Sequence, residues 1–186
     1  MSPAATMSVD DATTAVLDAA DALFYSRGVQ PVTMAEVRDR AGVSLRRLYS
    51  LFGSKDDLIA QWLAARHDAW TAGFRAEVDR ALASGAEPVD AVFDALEVWM
   101  RATDYRGCGF INTHAERGDL SSEHRAIIRA HKKELADQLE RLVPNGRAIA
   151  VLFDGAIVQA SIFAEPGPIH RAREAARVLA GEGARG

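Results

Sequence analysis

Two adjacent arginines, Arg46 and Arg47, stand in the stretch Ala41 to Leu58, AGVSLRRLYSLFGSKDDL, with Tyr49, Ser50 and Lys55 close behind them. A guanidinium offers a planar fork of donors that takes guanine O6 and N7 together, the commonest specific contact in the DNA major groove. A tyrosine hydroxyl donates to a phosphate. A lysine at a helix N-terminus adds charge where free amides and the helix dipole already favour an anion. At about 100° per residue, Arg46, Arg47 and Ser50 fall on one side of a short helix. Leu45, Leu48 and Phe52 fall on the other and are expected to pack inward, with Tyr49 at the margin. A pair of arginines on a helix is by itself only a solvated face. What gives these two a chemical meaning is the set of elements that holds them.

Thr33 followed by Glu36 has the capping-box pattern of a helix start, and Gly42 ends that helix after about two turns. Ser44 caps the next, which Gly53 stops after Phe52, and Ser54 with Asp57 opens a long one. Two short helices joined by a three- or four-residue turn containing glycine describe a helix-turn-helix. The second needs only two turns, because a recognition helix contacts base edges mainly through its N-terminal residues. Upstream, Val16, Leu17, Ala20, Leu23 and Phe24 form one apolar stripe closed by Gly28. Downstream, helical periodicity continues through Trp62, Trp70 and Phe74 toward Leu82, then from Pro88 to Met100 and from Phe110 to Arg117. It resumes over Ser122 to Leu142, Arg147 to Phe163 and Ile169 to Ala180. No two-residue alternation competes with it. The sequence therefore predicts an all-α chain of about nine helices: a helix-turn-helix domain over residues 1–57 and a helical bundle over residues 58–186.

Composition narrows the class. The chain has 186 residues, 48% of them apolar, and a formal charge of -4, so any affinity for DNA must come from local distribution rather than a basic domain. A single cysteine, Cys108, excludes an internal disulfide framework and fits a reducing compartment, as a small buried hydrophobe or a redox-sensitive thiol. The opening MSPAATMSVDDATT lacks the layout of a signal peptide, and Asp154 and Gln159 interrupt the most apolar run, Ala148 to Ala164. The expectation is a cytoplasmic protein with no membrane partner.

The bundle carries a second set of candidates. Trp62, Trp70, Phe74, Trp99 and Phe110 suit either a core or the wall of a cavity for an apolar or aromatic small molecule. Asn112 and His114, after a glycine-flanked break, supply polar contacts to that molecule if they turn inward. Cys108, His114, Glu116 and His124 match no close-packed zinc pattern, so no metal is expected. No catalytic constellation or cofactor motif is present, which argues against an enzyme.

The chain resembles the TetR family of one-component transcriptional regulators. The resemblance lies in AADALFYSRGVQPVTMAEVRDRAGVSLRRLYSLFGSKDDLI, Ala19 to Ile59, through Phe24, Gly28, Thr33, Ala41-Gly42-Val43-Ser44, Leu48-Tyr49, Phe52, Lys55 and Leu58. It implies backbone-phosphate roles for Thr33, Ser44, Tyr49 and Lys55, and base-facing roles for Arg46, Arg47 and Ser50. Three positions depart from the family pattern: the approach DDATT is acidic, Leu45 replaces a commonly polar residue, and Arg46 stands where a small residue is frequent. The expected function is a repressor that binds a palindromic double-stranded DNA operator as a homodimer and is released by a small-molecule effector. Dimerisation is expected through residues 122–142 and 147–163, the latter apolar nearly all round. A small helical adaptor or enzyme that has lost DNA binding is the alternative.

Overall fold

The computed structural model describes residues 7–101, 105–116, 118 and 120–181. These residues form nine helices and no strand: α1 (Val9–Arg27), α2 (Met34–Ala41), α3 (Leu45–Phe52), α4 (Lys55–Ala83), α5 (Pro88–Met100), α6 (Gly109–Glu116), α7 (Ser122–Leu142), α8 (Gly146–Phe163) and α9 (Gly167–Ala180).

Local chemistry explains where they begin. The Ser8 hydroxyl accepts from the Asp11 amide, with Asp10 and Asp11 placing negative charge in the first turn of α1. The capping box at α2 is complete: Thr33 Oγ1 accepts from the Glu36 amide, and the Glu36 carboxylate accepts from the Thr33 amide at 2.7 Å. Ser44 accepts from the Arg47 amide at the head of α3, and Ser54 from the Asp57 amide at the head of α4. Gly42, at φ 67, takes the left-handed conformation that lets the chain turn between α2 and α3. Two later helices start earlier than the pattern predicts, at Gly146 and Gly167, because glycine hides a first turn from propensity. Arg117, the expected end of the sixth helix, lies outside the described residues.

The described chain divides into two compact units. The first comprises Met1–Arg66 with Phe110–Ile127. Its core joins Val16 and Phe24 of α1, Val37 of α2, Leu48 and Phe52 of α3 and Trp62 of α4, all at most 3% exposed. Each such large side chain stabilises by about 1.5–3 kcal/mol relative to leaving it in water. The Trp62 indole donates to Asp21 Oδ1 at 2.7 Å, and its ring meets Phe24 edge-on at 5.3 Å.

The second unit comprises His67–Gly109 with Ile128–Gly186. Phe153 of α8 is its hub, with Phe74, Phe93 and Trp70 within 6.4 Å between ring centroids. α9 packs on α8 and α5, and Arg173 and Arg177 pair with Asp94, Glu97 and Asp90 of α5. α8 is the one described helix long and apolar enough to cross a membrane, and its buried stripe through Ile149, Phe153, Ala156 and Ile157 is core.

Candidate nucleic-acid interface

Helix α3 is anchored by two side chains. Leu48 and Phe52 are 0% and 1% exposed and fix its inner face against the first unit's core. The opposite face carries Arg46, Tyr49 and Ser50, all exposed. Leu45, expected to pack inward, is instead 39% exposed, since the first turn of α3 projects beyond the core that holds Leu48. It therefore joins Arg46 and Tyr49 on the outer surface.

Arg47 departs from its expected place. Its Nη2 donates to the Met7 carbonyl at 2.8 Å and the Ser8 carbonyl at 2.7 Å, binding α3 to the chain just before α1. Its Nε is enclosed and has no hydrogen-bond partner. Helical angle alone puts this guanidinium on the outer face with Arg46, but two carbonyls within reach hold it. Ser50 is exposed, with its hydroxyl donating back to the Arg47 carbonyl at 2.7 Å. Thr33 and Ser44 spend their hydroxyls on helix caps.

Lys55 is also engaged: its Nζ donates to the Gln30 carbonyl at 2.9 Å, in the turn between α1 and α2. Asp56 and Asp57 share the first turn of α4 with it and place negative charge beside its ammonium. Glu36 sits in a strongly anion-favouring setting. The Thr33 amide, then Arg27, hold its carboxyl well below the usual value, at about 2.

One residue of this unit was missed as a structural element by sequence reasoning. Glu116, at the end of α6, accepts from the Val29 amide at 2.8 Å and the Gln30 amide at 3.3 Å. The Gln30 side chain returns a bond to the Glu116 carbonyl at 2.7 Å. Gly28, at φ 87, passes so close to this carboxylate that a Cβ would overlap it. Nearby in sequence, His124 at the start of α7 is 1% exposed and its Nε2 meets the Asp56 carbonyl at 2.9 Å, while its Nδ1 is without a partner. The glycine was legible as a helix stop, but nothing local in the sequence announces partners so far along the chain.

The seven residues expected around a small molecule divide between the units. Trp62 and Phe110 are core side chains of the first, 2% exposed each, while Asn112 is half-buried and His114 exposed there. Trp70, Phe74 and Trp99 belong to the second. Trp70 stacks on Phe74 at 5.0 Å and meets Trp99 edge-on at 5.9 Å, and Trp99 meets Tyr105 at 5.2 Å. Trp70 and Trp99 both keep part of their surface exposed. Behind Trp70 lies a polar pair that the sequence did not reveal: His67 and His131 share a contact between Nδ1 atoms at 3.0 Å, and His67 Nε2 meets Glu134 at 3.2 Å. Cys108 is buried, with the Lys132 ammonium at 3.5 Å and Asp154 accepting from that ammonium at 2.7 Å. No group of three or more candidate metal ligands converges among the described residues.

Residues 16–61 match the family model for bacterial regulatory proteins of the tetR family. No curated protein sequence matches the chain significantly. Among solved structures, a TetR-family transcriptional regulator from Streptomyces coelicolor is 28% identical with a TM-score of 0.75, covering 92% of this chain and 97% of that one. The reduced form of NemR from E. coli has the same fold at 17% identity, with a TM-score of 0.74 and coverage of 90% and 96%. The regulatory protein TetR from Rhodobacter sphaeroides follows at 20% identity and a TM-score of 0.72, with coverage of 88% and 96%. Residues 16–61 thus carry the signature of the tetR family, and the chain has the fold of TetR-family transcriptional regulators over about nine-tenths of its length.

Proposed function

We propose that this regulator is a repressor that binds a palindromic DNA operator as a homodimer and leaves it when a small-molecule effector binds. The observation that carries the reading is the outer face of α3, where Leu45, Arg46 and Tyr49 stand exposed over the buried anchors Leu48 and Phe52. In this reading Arg46 takes a guanine edge, Leu45 touches a thymine methyl, and Tyr49 and Ser50 flank them on the groove wall. Thr33 and Ser44 hold the N-termini of α2 and α3, whose remaining first-turn amides are the backbone donors for phosphates. Arg47 and Lys55 act by fixing the α1 start and the α1–α2 turn, and reach phosphates only by exchanging those carbonyls for the duplex. Such a protein works in the cytoplasm, where the DNA is.

The apolar surface left uncovered supports pairing through α8 and α9. Val151, Ile162 and Phe163 on α8 are 72%, 69% and 61% exposed, and Val178 on α9 is 72% exposed. α7, the expected companion of α8, instead buries Ile128, Leu135 and Leu139, so its place in the pairing passes to α9. The effector reading rests on the second unit, where Trp70, Phe74 and Trp99 offer aromatic contact to an apolar or aromatic molecule.

Fluorescence polarisation against duplexes selected from a randomised library tests the DNA reading. The expected result is binding at least about 10³-fold tighter to the selected duplex than to a scrambled one. It should also weaken linearly in log salt. Equal affinity for both duplexes, or none, overturns it.

A further inference from the structure

Residues 74–79 of α4 and 138–142 of α7 line an open groove of about 320 Å³, the lower end of the size range of small-molecule sites. Its floor is apolar: Phe74 and Val78 are 7% and 3% exposed, and Leu142 is half-buried. Its rim holds two guanidiniums, Arg75 and Arg141, with Asp79 the one carboxylate on the wall.

The surrounding charges leave those guanidiniums underused. Arg141 makes no hydrogen bond or ion pair among the described residues, although it lies near enough to Asp137 to help lower that carboxyl. Asp137 itself is taken by Lys133 at 2.5 Å and Arg147 at 2.6 Å. Arg75 has only Glu134, at a long 3.9 Å. Glu134 is meanwhile satisfied by the buried Gln138 amide at 3.1 Å and by His67 Nε2 at 3.2 Å. Two forked cations against one carboxylate, above an apolar floor, favour a ligand with an anionic head and an apolar body.

We propose that this groove binds a small organic carboxylate with an aromatic or alkyl body, its carboxylate between Arg75 and Arg141 and its body on Phe74, Val78 and Leu142. This deepens the effector reading above and rests on it only for the link to DNA; the binding itself needs no DNA. Since Phe74 stacks on Trp70, a body resting on Phe74 lies one ring from an indole and reports through its fluorescence.

The test titrates 4-phenylbutyrate, 4-phenyl-1-butanol and 4-phenylbutylamine into the full chain at pH 7.5 and low salt, by calorimetry and tryptophan fluorescence. The acid is expected to bind at least about tenfold tighter than the alcohol, and the amine most weakly. Arg141→Glu should weaken the acid at least about tenfold and leave the alcohol unchanged, whereas Asp79→Asn should strengthen the acid by about 2–5-fold, the scale of a partly screened charge. Arg141 and Asp79 are exposed, so both variants should keep the wild-type melting curve. Equal binding of acid and alcohol, no acid binding, or acid binding indifferent to both variants overturns the proposal. If the acid binds as expected yet leaves a preformed complex with the selected duplex intact, the groove stands and the effector reading fails.

Discussion

Arg46 and Arg47 are chemically identical neighbours in different surroundings, one exposed and one held by two carbonyls, and under the proposed DNA reading alanine substitution separates them. Losing a bidentate base contact at Arg46 costs about 1–3 kcal/mol per half-site. Two half-sites in a dimer double this to about 2–6 kcal/mol, or about 30-fold to about 10⁴-fold on the selected duplex. A scrambled duplex offers no matched base edge, so there the loss is confined to one charge per protomer and shows as a shallower salt slope. Arg47 spends two charge-assisted bonds, at 2.8 and 2.7 Å, on the Met7 and Ser8 carbonyls. Exposure puts them at the low end of such bonds, and removing the unpartnered Nε offsets part of the loss, leaving about 1 kcal/mol. Arg47→Ala should therefore loosen the start of α1 and weaken selected and scrambled duplexes alike, by a few-fold. The assay is polarisation of each variant on both duplexes at several salt concentrations, with urea melts alongside. Loss of discrimination in Arg47→Ala with discrimination kept in Arg46→Ala would refute the assignment.

Glu116→Ala removes the acceptor of the Val29 amide, whose residue is 1% exposed, and should destabilise by about 1–3 kcal/mol. At about 2–4 °C per kcal/mol this lowers Tm by about 2–12 °C, and an unchanged melting curve would show the contact to be idle. Glu36, with its carboxyl lowered to about 2 from 4.5, contributes stability that is fully present above about pH 4.5 and is lost as pH falls toward 2. In Glu36→Gln that contribution is gone at every pH, so urea midpoints measured from pH 5 to pH 2 should fall less steeply than in the wild type; parallel curves would contradict the assignment. Val151→Glu combined with Val178→Glu should give folded monomers by sedimentation velocity at micromolar concentration, since both positions are exposed within the chain. A wild-type monomer, or a variant dimer, would count against pairing through α8 and α9.

What the sequence disclosed and what it withheld follow from the reach of each interaction. The caps at Thr33, Ser44 and Ser54 span three residues, so residue type and spacing were enough to place α2, α3 and α4. The face of α3 was legible through Leu48 and Phe52, because burial repeats with the helical period. The contacts of Arg47 were not legible, because its partners lie 40 and 39 residues upstream, beyond any local pattern. Trp62 and Trp70 look alike as members of one apolar stripe on α4, yet one is sealed in the first unit and the other stays half-exposed in the second. The Glu116 bonds, 87 and 86 residues apart in sequence, belong to the same class of unreadable contact.

That discontinuity has a consequence for the order of events during synthesis. The first unit draws on Phe110–Ile127 as well as on the chain up to Arg66, and it seals Phe110, Thr113, Leu120 and His124 to 3% exposure or less. Residues 67–127 take about 3–12 s to add at 5–20 residues per second. Until that stretch has been made, the three N-terminal helices have no Glu116 to receive the Val29 amide. The helix-turn-helix is thus complete in sequence well before it is complete as a folded unit. A nascent chain arrested before α6 should be cut by protease in the Gly28–Gln30 turn, and one arrested well beyond α7 should resist.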